Sequence, residues 1–309
     1  MDPVTHVCSG LLGGSYLRKK NDKKVYYIAA IGGLLPDIDN VIGFLNEPKL
    51  YLLYHRGVTH SIVGAVLFSF LAAVILKFLF FRNYNVFKIT IIFYLLGLMH
   101  IFLDLVTSYG TQIALPFTNE RFSLESVFII DPFFTLALIV MFLVSIKINS
   151  AKLKAMFIAF VFIYPLTNYG VKAVYSDYLQ SIFKDKSVTL TTAPFTPLNW
   201  KVILGDDKYL YYKTLRLFQK AEIEEFDKFV PLNKSDIESL LNEDDFLKVY
   251  KWFLKYPVVE QIADSSFKIT DLRFMINLKN IRTKDRTPFA MILNTDSKKS
   301  RILSYKYDF

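Results

Sequence analysis

One cysteine, Cys8, is all that the 309 residues contain. It cannot pair within the chain, so a disulfide-stapled module is excluded, and cysteine-based zinc clusters go with it. No phosphate-cradling glycine loop, dinucleotide fingerprint or nucleophile elbow is present, and no internal repeat or low-complexity tract. The first apolar piece, Val7–Leu17, has no basic segment before it and does not read as a cleaved signal peptide. Acids are also scarce where they would be costly. From residue 50 to residue 119 the one acid is Asp104.

What is abundant is apolar surface. Hydrophobic residues make up 53% of the chain and aromatics 16%, with a mean hydropathy of +0.31. That excludes disorder and points to a membrane. His60–Phe81, Val86–Thr107 and Val127–Ile148 each approach the ~20 residues that cross a bilayer as a helix. A fourth stretch, Leu153–Tyr175, is interrupted by Pro165 and Asn168. Val25–Leu45 is broken at Pro36-Asp37 and barely reaches spanning length.

The net charge of +9 is spread out rather than packed into a nucleic-acid surface, so no nucleic-acid partner is expected. Its densest run, residues 18–24, reads as a cytoplasmic membrane anchor. The turns around Lys77, Arg82 and Lys88 and around Lys147, Lys152 and Lys154 are also basic, whereas loops 46–59 and 108–126 are poorer in cations. Placing the basic turns in the cytoplasm gives a consistent zigzag, with the C-terminal part on the outer side. After residue 175 charges become frequent and short strand-like segments appear, with a helical pattern over Ser235–Tyr256. The expected architecture is an α-helical multi-pass membrane domain over 1–175, with about four to five spans plus a short N-terminal re-entrant helix. A small soluble α+β domain over 176–309 follows.

All four histidines, His6, His55, His60 and His100, lie in the first 100 residues. An ionisable residue inside an apolar span is expensive and marks a candidate site. Asp104 follows His100 by four positions, which places both on one helix face, about 6 Å apart at Cβ. Asp37 and Asp39 sit at the break made by Pro36, where i, i+2 carboxylates can turn toward one centre. Two such carboxylates repel unless a cation or a proton neutralises them. His55 and His60 are five apart and share no helix face, but a turn at Gly57 could bring them together; Arg56 between them suits an anion.

In the zigzag, His6, Asp37, Asp39, His55, His60, His100, Asp104 and Asp131 all fall at one membrane level. They are the candidate metal ligands and catalytic groups, with Asp39 or Asp131 as general base and Arg56 to steady negative charge. Imidazole with carboxylate suits zinc first, then manganese or iron, as one or two ions. Blander uses compete: a satisfied core position for His6, an interhelical bond for His100 and Asp104, an interfacial anchor for His55 and His60, and helix caps for Asp37, Asp39 and Asp131. A site at the interface suggests membrane lipid as a partner and an amphiphilic or phosphate-ester substrate. An ion-transport or proton-sensing role is the alternative for the same cluster, and a structural role is a third.

These pieces together resemble the bacterial membrane-bound metal-dependent hydrolase family, the YdjM/YfhP group. The matching segments are Met1-Asp2-Pro3-Val4-Thr5-His6, Leu35-Pro36-Asp37-Ile38-Asp39 and His55-Arg56-Gly57-Val58-Thr59-His60-Ser61. His100-Ile101-Phe102-Leu103-Asp104, Thr107-Ser108-Tyr109-Gly110-Thr111-Gln112 and Asp131-Pro132 follow in order. Pro194, Pro197, Asn199-Trp200 and Asp271-Leu272-Arg273-Phe274 are similar to the tail of the YfhP-like members. The resemblance implies a multi-pass membrane protein with a metal-dependent hydrolase core. More distantly, the pattern is similar to the all-helical metal site of zinc-dependent phospholipases C.

Overall fold

The computed structural model describes residues 1–17, 23–80, 82–276 and 287–307. Most of the basic run at 18–24 lies outside the described residues. The chain divides into two compact units. The first holds Met1–Asn46, Tyr54–Val171 and Phe195–Pro197; the second holds Glu47–Leu53, Lys172–Pro194 and Leu198–Phe309. The division at 171/172 falls four residues before the compositional change, because it lies inside a helix that continues past it.

In the first unit α1 covers Pro3–Leu17 and starts where a capped turn should: Asp2 accepts from the Thr5 amide at 3.0 Å. Two glycines let α1 lie directly against α2 (Lys24–Leu34). A Cβ on Gly10 would meet the Ala29 carbonyl at 2.6 Å, and one on Gly33 would meet the His6 carbonyl at 2.7 Å. Pro36 has no N–H to continue the α-helical ladder, and the chain tightens into a 3-10 segment, Leu35–Leu45. Eleven residues is long for that conformation.

A short α3 (Pro48–Tyr54) and a 3-10 turn (Val58–His60) lead to α4, Ile62–Leu79. Ser61 caps α4, accepting from the Gly64 amide at 2.9 Å. Then come α5 (Val86–Leu105), α6 (Pro132–Lys147) and α7 (Ala151–Ile182). Lys24–Leu45, α4, α5 and α7 are long and apolar enough to cross a membrane. The expected span over Val127–Ile148 is shorter than its apolar run. Asp131 and Pro132 start α6 only there, leaving 16 residues, about 24 Å of helix. Cys8 packs in the core with Leu12, Ala29, Leu96 and Leu103.

The second unit is built on an antiparallel meander in which each strand pairs with the next. Its strands are β1 (Ser187–Thr192), β2 (Asn199–Gly205), β3 (Leu210–Arg216), β4 (Asp227–Pro231), β5 (Pro257–Ala263), β6 (Ser266–Asp271), β7 (Met291–Thr295) and β8 (Ile302–Tyr307). β4 pairs with β3 through Asp227–Phe229 and with β5 through Val230 and Pro231, so it hands the meander from one half to the other. The helix expected over Ser235–Tyr256 is mostly absent. Ser239–Asn242 is a 3-10 turn, and Asp244, extended at φ −127°, restarts the chain as α8, Asp245–Phe253. Its carboxylate accepts from the Phe246 and Leu247 amides. Asp271 and Arg273 form a buried pair at 2.8 Å, with the guanidinium over the Phe253 and Phe274 rings. Arg273 donates to the Phe253 carbonyl at 2.7 Å and Asp271 accepts from the Lys255 amide at 2.7 Å, tying the end of β6 to the segment after α8.

Asp131 is spent on capping. Its Oδ1 accepts from the Phe133 and Phe134 amides, both at 3.0 Å, and its Oδ2 accepts from the Tyr164 hydroxyl at 2.7 Å. Replacing Asp131 with Ala is expected to lower stability by about 1–2 kcal/mol, read by thermal unfolding in detergent, while metal content stays unchanged.

Candidate metal centre

The 3-10 segment, the turn at Val58–His60 and the end of α5 meet at one point inside the first unit. His100 reaches it from α5. Its Nδ1 lies 2.7 Å from the Gly33 carbonyl, which can only accept, so Nδ1 carries the proton and Nε2 presents a lone pair. That carbonyl is available because it belongs to the last turn of α2, where helical acceptors lack intrahelical partners. His60 is set the same way. Its Nδ1 is 3.0 Å from Asp39 Oδ2 and 3.0 Å from the Thr59 hydroxyl, and that hydroxyl donates to the same carboxylate at 2.8 Å. A carboxylate behind an imidazole fixes its tautomer and raises its basicity as a ligand.

The two Nε2 atoms therefore face each other at 3.3 Å as acceptors. Asp104 Oδ2 stands 3.1 Å from His60 Nε2 and 3.3 Å from His100 Nε2. Asp37 Oδ1 is 3.6 Å from each. Asp37, His60, His100 and Asp104 all offer a ligand atom within 4.8 Å of one another. Asp104 Oδ2 is buried and has no hydrogen-bond donor. Four converging acceptors, three of them buried, call for a positive charge between them. Neighbouring donors of a tetrahedral zinc site stand about 3.3–3.4 Å apart, from bonds of about 2.0–2.1 Å. The His60, His100 and Asp104 separations match that spacing, so this group could hold a metal ion.

The other candidates surround the four. Asp39 accepts from His55 Nδ1 at 3.0 Å and from the Arg56 amide at 3.0 Å, besides Thr59 and His60. It is a hub and not one of the four donors. Arg56, buried and at φ 56°, places Nη2 3.0 Å from Asp104 Oδ1 and donates through Nη1 to the Thr107 hydroxyl at 2.8 Å. His6 stacks on His100 with ring centroids 3.5 Å apart, and its Nε2 is 3.2 Å from Asp104 Oδ1. The Met1 amino group is buried against the same oxygen and lies 3.0 Å from His6 Nε2. Burial pushes the His55 imidazole toward its neutral form, against the pull of Asp39. Asp131 is brought to the α6 cap instead.

Sequence reasoning missed the Gly33 carbonyl and Arg121. No residue-type pattern reports a backbone acceptor. Arg121 donates to the Gly110 and His55 carbonyls at 3.1 and 3.0 Å and lies over the Tyr109 ring, as Arg56 does. Its signal was a cation in a loop otherwise poor in them.

The model of the YdjM inner membrane protein family matches residues 1–176, more than half of the chain and the whole of the segment that carries these groups. The chain belongs to that family. It is also similar to the uncharacterized protein YfhP of Bacillus subtilis (strain 168), with 23% identity over 312 residues, covering 95% of this chain and 91% of that one. No solved structure matches. Membership of an inner membrane family and the four apolar helices agree on a membrane location.

Because Gly33 is pressed against backbone, Gly33→Ala must shift the carbonyl that orients His100. Its metal affinity is expected to fall about 10–100-fold, read by metal titration of the purified protein. Gly170→Ala, where nothing lies within 4 Å of an added Cβ, is expected to leave affinity unchanged.

Proposed function

We propose that this membrane protein is a metal-dependent hydrolase of phosphate esters in the bacterial cytoplasmic membrane. The observation that carries the reading is the asymmetry of the four donors. His60, His100 and Asp104 are sealed and stand 3.1–3.3 Å apart, whereas Asp37 is farther, at 3.6 Å, and is the one donor with an exposed side. Three tight protein ligands and an open fourth position distinguish catalytic from structural zinc sites. Zinc fits this nitrogen and oxygen set best, with manganese and iron next. One ion suits the site: the remaining oxygen of Asp104 is already taken by Arg56.

A divalent ion held there supplies Lewis acidity, polarising a phosphoryl oxygen and acidifying water. The chain's own groups do the rest. His55, held through Nδ1 by Asp39, has its other ring nitrogen in the basic tautomer and accepts the water proton. Asp39 orients the His55 and His60 rings and is a positioning residue. Arg56 has one donor, Nε, without a partner and offers it to the phosphoryl oxygens. The water oxygen bonds to phosphorus, the ester P–O bond breaks, and the proton taken by His55 passes to the departing alcohol oxygen; no electron is exchanged. Positive-inside placement puts this centre and residues 176–309 on the outer side.

The break at Pro36 inside an apolar segment favours a second reading, an intramembrane ion or proton site. Metal-dependent flux into liposomes with no ester cleavage would favour it over hydrolysis.

Two variants separate the roles. His55→Ala is expected to retain about one equivalent of metal and lose about 10²–10⁴-fold in the rate of phosphate-ester cleavage. The His60→Ala/Asp104→Ala double variant is expected to lose both metal and activity, read by element analysis beside the assay. Full activity in either variant would overturn the proposal.

A further inference from the structure

We propose that the metal centre is reached from the lipid phase, and that its ligand is a phosphate-bearing membrane lipid whose acyl chain lies along α4. The inference names the substrate class of the hydrolase reading and rests on it. It starts from where the centre opens. Among the four donors His60 and Asp104 are fully sealed and His100 nearly so, while the Asp37 side chain is 15% exposed. Asp37 is therefore the edge at which a ligand meets the metal position.

The surface around that edge is apolar. On the same 3-10 segment Ile38, Val41, Phe44 and Leu45 are exposed, Phe44 at 85%. Asn40 is the polar exception. Exposed Val58 and Ile62 flank the ligand His60, and the 3-10 segment packs on α4. An entrance for a water-soluble ester would carry a polar rim; a contiguous apolar one marks a membrane or partner surface.

α4 presents an open apolar face with about 530 Å³ of space beside it. Ile62, Val63, Val66, Leu67 and Phe70 line it, and none is polar. It begins two residues after His60 and extends about 12 Å along the helix. Because α4 is one of the spanning helices, acyl chains are what cover its outward face. An acyl chain lying along this face would end beside Ile62, two residues from the ligand His60. Arg56, a residue 2% exposed with Nη2 3.0 Å from Asp104 Oδ1, keeps an unpartnered Nε, a donor suited to phosphate. Hydrolysis of such a lipid forms a bond from water oxygen to phosphorus, breaks the P–O bond to the lipid alcohol and delivers the proton to that alcohol.

The test reads binding apart from turnover. The full chain, loaded with zinc, is placed in phosphatidylcholine nanodiscs containing phosphatidic acid with a diazirine in its acyl chain. Photolabelling is mapped by mass spectrometry. Labelling of residues 62–70 should exceed labelling of the exposed α6 positions Phe133, Leu136 and Val140. Unlabelled phosphatidic acid should compete it away, and inorganic phosphate or diacylglycerol should not. Val66→Trp should cut the α4 labelling about tenfold, with Leu136→Trp as the control. Labelling that is equal on both helices, or is not competed, is ordinary bilayer contact and overturns the inference. Competition by inorganic phosphate alone would make the centre a free-phosphate site and also overturn it.

Cleavage is assayed in parallel on phosphatidic acid in the same discs and on a short-chain, water-soluble phosphate ester. Rapid cleavage of the soluble ester without saturable α4 labelling leaves the hydrolase reading standing and removes the lipid route. Saturable labelling with no cleavage of either ester confirms the lipid route and removes the hydrolase reading.

Discussion

With the Nδ1 protons of His60 and His100 committed to Asp39 and to the Gly33 carbonyl, both rings must turn lone pairs toward two carboxylates. Nothing in the surrounding core can answer them: Asp104 Oδ2 has no donor at all. Protons satisfy such a cluster two atoms at a time. A divalent cation would satisfy the three tight donors at once with Asp37 beside the open position, and the spacing of those three already matches a tetrahedral ion. Much of the membrane unit follows from holding this arrangement. The glycine contact between α1 and α2 sets the Gly33 carbonyl, the Pro36 break brings the carboxylates round, and the end of α5 delivers His100 and Asp104 together.

Charge is balanced around the centre as well as inside it. Asp104 faces the four-donor point with one oxygen and gives the other to Arg56 and the Met1 amino group. A buried carboxylate shared this way needs cations on both sides, because either oxygen left alone would carry a desolvation cost of several kcal/mol. Arg56 in turn is fixed by Thr107, which is anchored to the Asp104 carbonyl at 2.8 Å. His6, stacked on His100, closes the remaining side without joining the four donors.

The sequence made the ligands legible because charge is rare in an apolar chain. Asp104 stood alone across a long apolar stretch, and the i, i+4 spacing paired it with His100. Asp37 and Asp39 were both visible, but their division of labour was not. Which carboxylate faces the metal point and which holds the histidines depends on the path of the 3-10 segment, a tertiary outcome. Asp131 offered either a general base or a helix cap before Pro132, and in the structure it caps α6. In the sheet domain Ser187–Thr192, rich in hydroxyls, carries a weak strand signal and yet forms β1. The helix over Ser235–Tyr256 was overextended because Asp244 caps a new start in the middle of an apparently continuous pattern.

Asp39 gathers His55, Arg56, Thr59 and His60 onto one carboxylate, so four contacts from a six-residue loop are made with no metal ligand bond among them. The loop's conformational entropy is thus spent during folding of the chain and not at metal binding. An ion arriving at this centre finds His60 already aimed. Its affinity then reflects ligand bonds with little subtracted for ordering, and a metal-free molecule should be a folded protein awaiting its ion, unlike small zinc domains whose chain collapses around the metal.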